Sequence, residues 1–224
     1  MGLDYDSLLG TLPGKFIILP GALYFNMEIM NKYLLAVLLV LPILGSAQDP
    51  KLYSIFNGKD LTGWSAPGIE DCWKAEDGVL LVMNDPDKTG DILWTEKSYK
   101  DFIIKGEFKF GKGIVDSGFF IHSDHDQIQI GISGSLKRDM TCSPYIPGKG
   151  YPVEATGVKD LLKLDDWNTI QVKVVGNHYT SWLNGEKVME YTSDTATEMG
   201  PIGIQLHPGR EMSIEYRNLM LAEL

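Results

Sequence analysis

From Phe102 onward the chain alternates: Phe102, Ile104, Phe108 and Phe110 are apolar, with Lys105, Glu107 and Lys109 between them. A period of two sends the two sets to opposite faces of a strand. Thr169–Val175 repeats the pattern, with Ile170, Val172 and Val174 directed inward. Tyr179–Leu183 and Glu186–Tyr191 follow, separated by Asn184-Gly185. That pair predicts a hairpin, because a type I′ turn needs positive φ at both central residues. Ile202–His207 and Met212–Arg217 add two more strands, and Asp160–Leu164 predicts one turn of helix. Many short strands between Gly and Pro turns, with no alternating helices, predict an all-β antiparallel sandwich or barrel.

Residues 117–131 concentrate the candidate chemistry. Two strand-like runs flank a tip that carries His122, Asp124, His125 and Asp126. In the second run Ile128 and Ile130 share one face, and Gln127 and Gln129 share the other. One face suits a core and the other suits a polar ligand or solvent. Imidazoles beside carboxylates suit a divalent metal or an acid/base cluster, although Ser-Asp-His-Asp is also ordinary turn composition. On Gly203–His207, His207 lies with Gln205 opposite Ile204 and Leu206. If this strand neighbours the Gln127/Gln129 strand, the two polar faces form one floor. A histidine there suits base work at neutral pH.

The ends and the charge narrow the setting. Met30-Asn-Lys32, an apolar run from Tyr33 to Leu44 and the small residues Gly45-Ser-Ala47 have the form of a secretory signal peptide. The apolar run is short for a membrane span, which needs about 20 residues. Residues 1–29 read as an over-extended start, 30–47 as the signal and 48–224 as one folded domain, secreted or periplasmic after cleavage. The full 224 residues carry a net charge of −10. The leader holds two lysines and three acids, which leaves −9 on the rest. Such a chain lacks the basic footprint of a nucleic-acid or anionic-lipid binder. Cys72 and Cys142, the two cysteines, leave one disulfide open as a possibility.

Several phrases in order carry a resemblance: Phe56-Asn-Gly-Lys-Asp-Leu-Thr-Gly-Trp64, Trp73, Asp77-Gly-Val-Leu80, Trp94-Thr95 and Tyr99-Lys-Asp-Phe102. Ser117-Gly118, Trp167-Asn168, Leu183-Asn-Gly185, Gly203-Ile-Gln-Leu-His207 and Arg217-Asn-Leu219 continue it. Together they resemble the 3-keto-disaccharide hydrolase family over about Tyr53 to Leu224. The resemblance implies a concanavalin A-like jelly-roll β-sandwich of two antiparallel sheets. It also implies a carbohydrate partner, and cleavage of glycosides oxidised at carbon 3. A ketone there acidifies the carbon 2 proton, so a base can drive elimination from carbon 1, and water addition completes a net hydrolysis. Such a site needs a base and a stabiliser for the enolate oxygen, a part that a divalent metal can play.

The family's Glu-x-Gln-Ile-x-Asp phrase corresponds here to Gln127, Gln129-Ile130 and Ile132, so both acids are replaced. Either other groups do the chemistry, or the chain only binds sugar. His207, His122 and Asp124 are the candidate catalytic residues; His122, Asp124, His125 and Asp126 are the candidate metal ligands. Gln127, Gln129, Gln205, Glu107, Arg138 and the aromatic face of Trp182 are candidates for holding the sugar. Arg138 stands with Asp139, Tyr145, Tyr151 and Glu154 on a long connection, 133–157, expected to be an ordered flap. Trp64, Trp73 and Trp167 are expected in the core.

Overall fold

A computed structural model describes residues 50–65 and 70–224. The leader and start-site expectations for 1–47 lie outside the described residues. The strands are β1 (Tyr53–Ser54), β2 (Trp64–Ser65), β3 (Trp73–Glu76), β4 (Val79–Met83), β5 (Asp91–Thr95), β6 (Phe102–Gly113) and β7 (Asp116–Ile121). They continue as β8 (Asp126–Gly131), β9 (Pro144–Tyr145), β10 (Asn168–Val175), β11 (His178–Leu183), β12 (Glu186–Thr192), β13 (Ile202–Leu206) and β14 (Met212–Glu223). A single helical turn, α1 (Val158–Leu161), stands close to its expected place.

Two antiparallel sheets make the sandwich. The larger runs β12-β11-β10-β6-β14-β4-β3, with β1 paired to β14; the smaller runs β2-β5-β13-β7-β8-β9. The alternation seen in the sequence explains the layering. Phe102, Ile104 and Phe108 of β6, with Ile170, Val172 and Val174 of β10, point inward and are fully buried. Phe119, Ile128, Ile130 and Ile204 meet them from the smaller sheet. Asn184 and Gly185 take φ of 51° and 95°, as the β11–β12 hairpin requires. Trp64 and Trp73 are core residues, but Trp167 is only half-buried and stacks on Arg217.

Four interior hydrogen bonds fix the smaller sheet. Ser117 donates to the Gln205 carbonyl at 2.6 Å and accepts from the Tyr216 hydroxyl at 2.8 Å. Burial pushes the Tyr216 hydroxyl far above its usual range, so it stays a donor. Asp126 also faces the interior, where it accepts from Tyr179 of the larger sheet at 2.8 Å and from Thr195 at 2.9 Å. Burial alone would raise the Asp126 carboxyl, but bonds from Ser193, His125, Tyr179 and Thr195 outweigh it and bring the group below its usual range. Cys72 and Cys142 are separate buried thiols and form no disulfide.

Candidate functional site

Cross-strand register builds a floor on the outward face of the smaller sheet. Trp94, Gly203, Phe120, Gln127 and Tyr145 are successive partners across β5, β13, β7, β8 and β9. One step along, Gln205 pairs with Ile92 and Gln129 with Gly118. Asp116, at the start of β7, and His207, just past β13, close the floor at one end. Two glycines make this face possible. A Cβ on Gly118 would lie 2.6 Å from the Gln127 side-chain nitrogen, and one on Gly203 would lie 2.7 Å from the Trp94 ring. Gly118 therefore lets the Gln127 amide lie across β7 to reach Gln205, donating to its Oε1 at 2.8 Å.

The flap covers this floor, so Gln127, Gln129 and Asp116 are buried although they face away from the core. It is ordered along the β8 edge: Cys142 N–H donates to the Gln129 carbonyl at 2.8 Å, and Met140 N–H to that of Gly131 at 2.9 Å. Between flap and floor lies a hollow of about 390 Å³ lined by Asp116, Gln127, Gln129, Ser133, Tyr145, Tyr151, Gln205, His207 and Arg210, among others.

Asp116 is the chemical centre of the hollow. Its Oδ1 accepts from Gln129 Nε2 at 2.8 Å, whereas its buried Oδ2 has no hydrogen-bond partner. Arg210 Nη1 is 3.2 Å from that oxygen and His207 Nε2 is 3.7 Å away. The guanidinium thus attracts Oδ2 without a well-aimed N–H, leaving a lone pair available. The His207 Nδ1–H donates to the Pro208 carbonyl at 2.7 Å, so Nε2 is the acceptor nitrogen and faces the same spot. A Cβ on Gly134 would fall 3.2 Å from Asp116 Oδ2 and 3.0 Å from Arg210, so the flap backbone roofs this spot closely.

Tyr151 hangs from the flap and donates to Gln129 Oε1 at 3.1 Å. Its ring packs on that of Tyr145, with centroids 5.3 Å apart. Burial pushes the Tyr151 hydroxyl up to about 12, against the lowering effect of a bond with Ser133.

Of the residues proposed from sequence, Gln127, Gln129, Gln205 and His207 converge here. The hairpin-tip set does not. His122 is buried with Nδ1 2.6 Å from the Thr197 carbonyl and Nε2 2.9 Å from that of Lys100, so both ring nitrogens are already engaged with backbone. Asp126 points into the sandwich, Asp124 is exposed on the turn, and the His125 ring bonds Asp126, at 3.0 Å. Sequence proximity at a turn does not make the side chains point one way. Among the described residues no three His, Cys, Asp or Glu converge as metal ligands.

A divalent ion also does not fit the Asp116 hollow, because the Arg210 guanidinium already places positive charge beside Oδ2. Glu107 and Trp182 lie on the outer face of the larger sheet, the other side of the sandwich: Glu107 accepts from Arg217 at 2.5 Å, and Trp182 pairs with Gln171. Arg138 is paired with Glu154 and lines a separate hollow of about 600 Å³ together with Ile132 and Asp139.

Asp116 and Arg210 did not stand out in the sequence, and Tyr151 stood out only as one residue of the flap. Asp116 shares its strand face with Gly118, one residue before the Ser-Gly phrase, which is the signal that could have found it. Arg210 and Tyr151 sit in loops, where no period places them.

The sequence matches the 3-keto-alpha-glucoside-1,2-lyase-like domain over residues 51–222. The chain belongs to this family. Curated protein sequences give no match. Among solved structures, two from Parabacteroides distasonis, provisionally called glycosyl hydrolases, share the fold. They superpose with TM-scores of 0.59 and 0.60 at 21% and 22% identity, over 77% and 78% of this chain and 94% and 100% of theirs. The carbohydrate recognition domain of Emp47p superposes at 0.51 with 17% identity, over 77% of this chain and 97% of that one. These neighbours establish the jelly-roll sandwich.

Proposed function

We propose that the Asp116 hollow binds a carbohydrate and cleaves a 3-keto-glycoside by elimination followed by hydration. The observation that carries this reading is the buried Oδ2 of Asp116, which accepts no hydrogen bond and is set between Arg210 and His207 in a hollow of about 390 Å³. Leaving a buried polar atom without a partner costs about 1–3 kcal/mol, and such a cost fits a group kept free for substrate.

In the proposed reaction, Oδ2 takes the proton from carbon 2 and the C–H electrons form an enolate whose oxygen meets Arg210. The enolate electrons then return, the carbon 1–carbon 2 double bond forms, and the glycosidic oxygen leaves with the proton that Oδ2 took from carbon 2, relayed through His207 Nε2. Water adds at carbon 1 and a proton returns to carbon 2. The balance is a 3-keto-glycoside plus water giving a 3-keto sugar plus an alcohol. Gln127, Gln129 and Gln205 carry amide groups suited to ring hydroxyls, and the Tyr145–Tyr151 pair offers an apolar wall to a sugar face.

Family membership and a fold shared with a carbohydrate recognition domain support a sugar partner. A chromogenic 3-keto-glucoside tests the enzyme reading. Turnover lost in His207→Ala supports it. Sugar binding without turnover would instead leave a binding domain of the same fold.

A further inference from the structure

The donor pattern around Gln129 has one self-consistent orientation. A carboxylate only accepts, so the amide must present Nε2 to Asp116 Oδ1, at 2.8 Å. Its Oε1 then faces Tyr151, whose hydroxyl must donate, at 3.1 Å. Reversing the amide would set Oε1 against the carboxylate with no hydrogen between them, so Asp116 fixes the amide and the tyrosine hydroxyl turns its hydrogen toward Oε1. Both Gln129 and Asp116 are buried, so water does not readily supply a substitute partner. Tyr151 itself is steadied by its packing on Tyr145 of β9, and β9 pairs with β8 next to Gln129.

We infer that Tyr151 is a positioning residue that acts through Gln129 to hold Asp116 with Oδ1 occupied and Oδ2 free. The inference deepens, and rests on, the reading of Asp116 as the base. It gives the flap a defined part in the chemistry: one flap hydroxyl orients one floor amide, and that amide orients the reactive carboxylate. Burial raises the Tyr151 hydroxyl to about 12, so it remains a donor through neutral and mildly alkaline pH. A tie of this kind acts on the reacting group and not on substrate affinity, so its loss appears in kcat.

Tyr151→Phe keeps the ring and deletes the hydroxyl. It should lower kcat about tenfold, the effect of one lost orienting bond, with KM changed less than about twofold. Against a Gln129→Leu background the same change should have no further effect, since the tie is already cut. Additive losses, or a raised KM with kcat unchanged, would overturn the inference and place Tyr151 directly on substrate.

Nuclear magnetic resonance of the full chain gives a readout independent of turnover. The Gln129 side-chain amide signals, assigned by their loss in Gln129→Leu, should shift or broaden in Tyr151→Phe. Signals that do not move in that variant would overturn the tie whatever the kinetics. If the wild type turns over no 3-keto-glycoside, the reading of Asp116 as the base fails, and the amide signals alone decide whether Tyr151 orients Gln129.

Discussion

Replacing Asp116 with Asn separates chemistry from architecture, because the two side chains are nearly isosteric. The Asn carbonyl oxygen can still accept the 2.8 Å bond from Gln129, while an NH2 group takes the place of Oδ2. Removing a general base lowers the rate roughly 10²–10⁴-fold, about 2.7–5.5 kcal/mol on the barrier. The effect on folding is smaller and is set by two opposing contributions. The orphaned Oδ2 costs about 1–3 kcal/mol in the wild type. Its attraction to Arg210 at 3.2 Å is about 5 kcal/mol at an effective dielectric constant near 20, before both groups pay for desolvation. Desolvation of the two charges offsets most of that attraction, and with the orphan cost this leaves a net change within about 2 kcal/mol of zero. For a domain of this size that moves Tm by at most roughly 8 °C. Thermal melts and turnover of a 3-keto-glucoside measure the two effects side by side. Unchanged turnover would remove Asp116 from the chemistry. Lost turnover with Tm lowered by much more than that bound would make it a structural residue.

Three further outcomes follow from the geometry. Glu107→Gln and Trp182→Ala alter the far face of the sandwich and should leave turnover within about twofold of wild type; a large loss in either would contradict the placement of the site. Gly203→Ala pushes a Cβ to 2.7 Å from the Trp94 ring and should destabilise by about 1–3 kcal/mol, read from the urea midpoint; an unchanged midpoint would show that the floor yields freely. The Asp126 carboxyl lies below its usual range when folded, so its contribution is present above the unfolded value near 3.9 and is lost as pH falls through the folded value. Urea midpoints measured from pH 7 to pH 2 should therefore fall less steeply below about pH 4 in Asp126→Asn than in wild type, and parallel curves would count against this.

The layered fold was legible because period-two alternation survives wherever one face is core and the other is polar. It placed Phe102, Ile104, Ile170 and Ile128 on the correct side, and Asn184-Gly185 at the correct turn. The same rule put Gln127, Gln129 and Gln205 on one face, where the structure brings them together with His207. It failed for Asp116 because β7 is buried on both faces: Phe119 and Phe120 lie on opposite sides, so no alternation remains to show which way Asp116 points. Glu107 and Trp182 show a second limit. Alternation separates the faces of a strand, but it does not say which outer face of a sandwich carries the ligand. The His122–Asp126 tip shows a third, since a turn rotates successive side chains in different directions. Three segments distant in sequence meet at the site: the start of β7, the flap and the turn after β13.

The central claim is that Asp116 removes the proton from carbon 2. The most direct measurement is the rate of alcohol release from a 3-keto-glucoside carrying deuterium at carbon 2, compared with the same compound carrying hydrogen. The account predicts slower release from the deuterated compound by wild type, with solvent hydrogen found at carbon 2 of the product, and release from either compound slowed roughly 10²–10⁴-fold by Asp116→Asn. Equal rates, with the original deuterium retained at carbon 2, would contradict it and point to direct displacement at carbon 1.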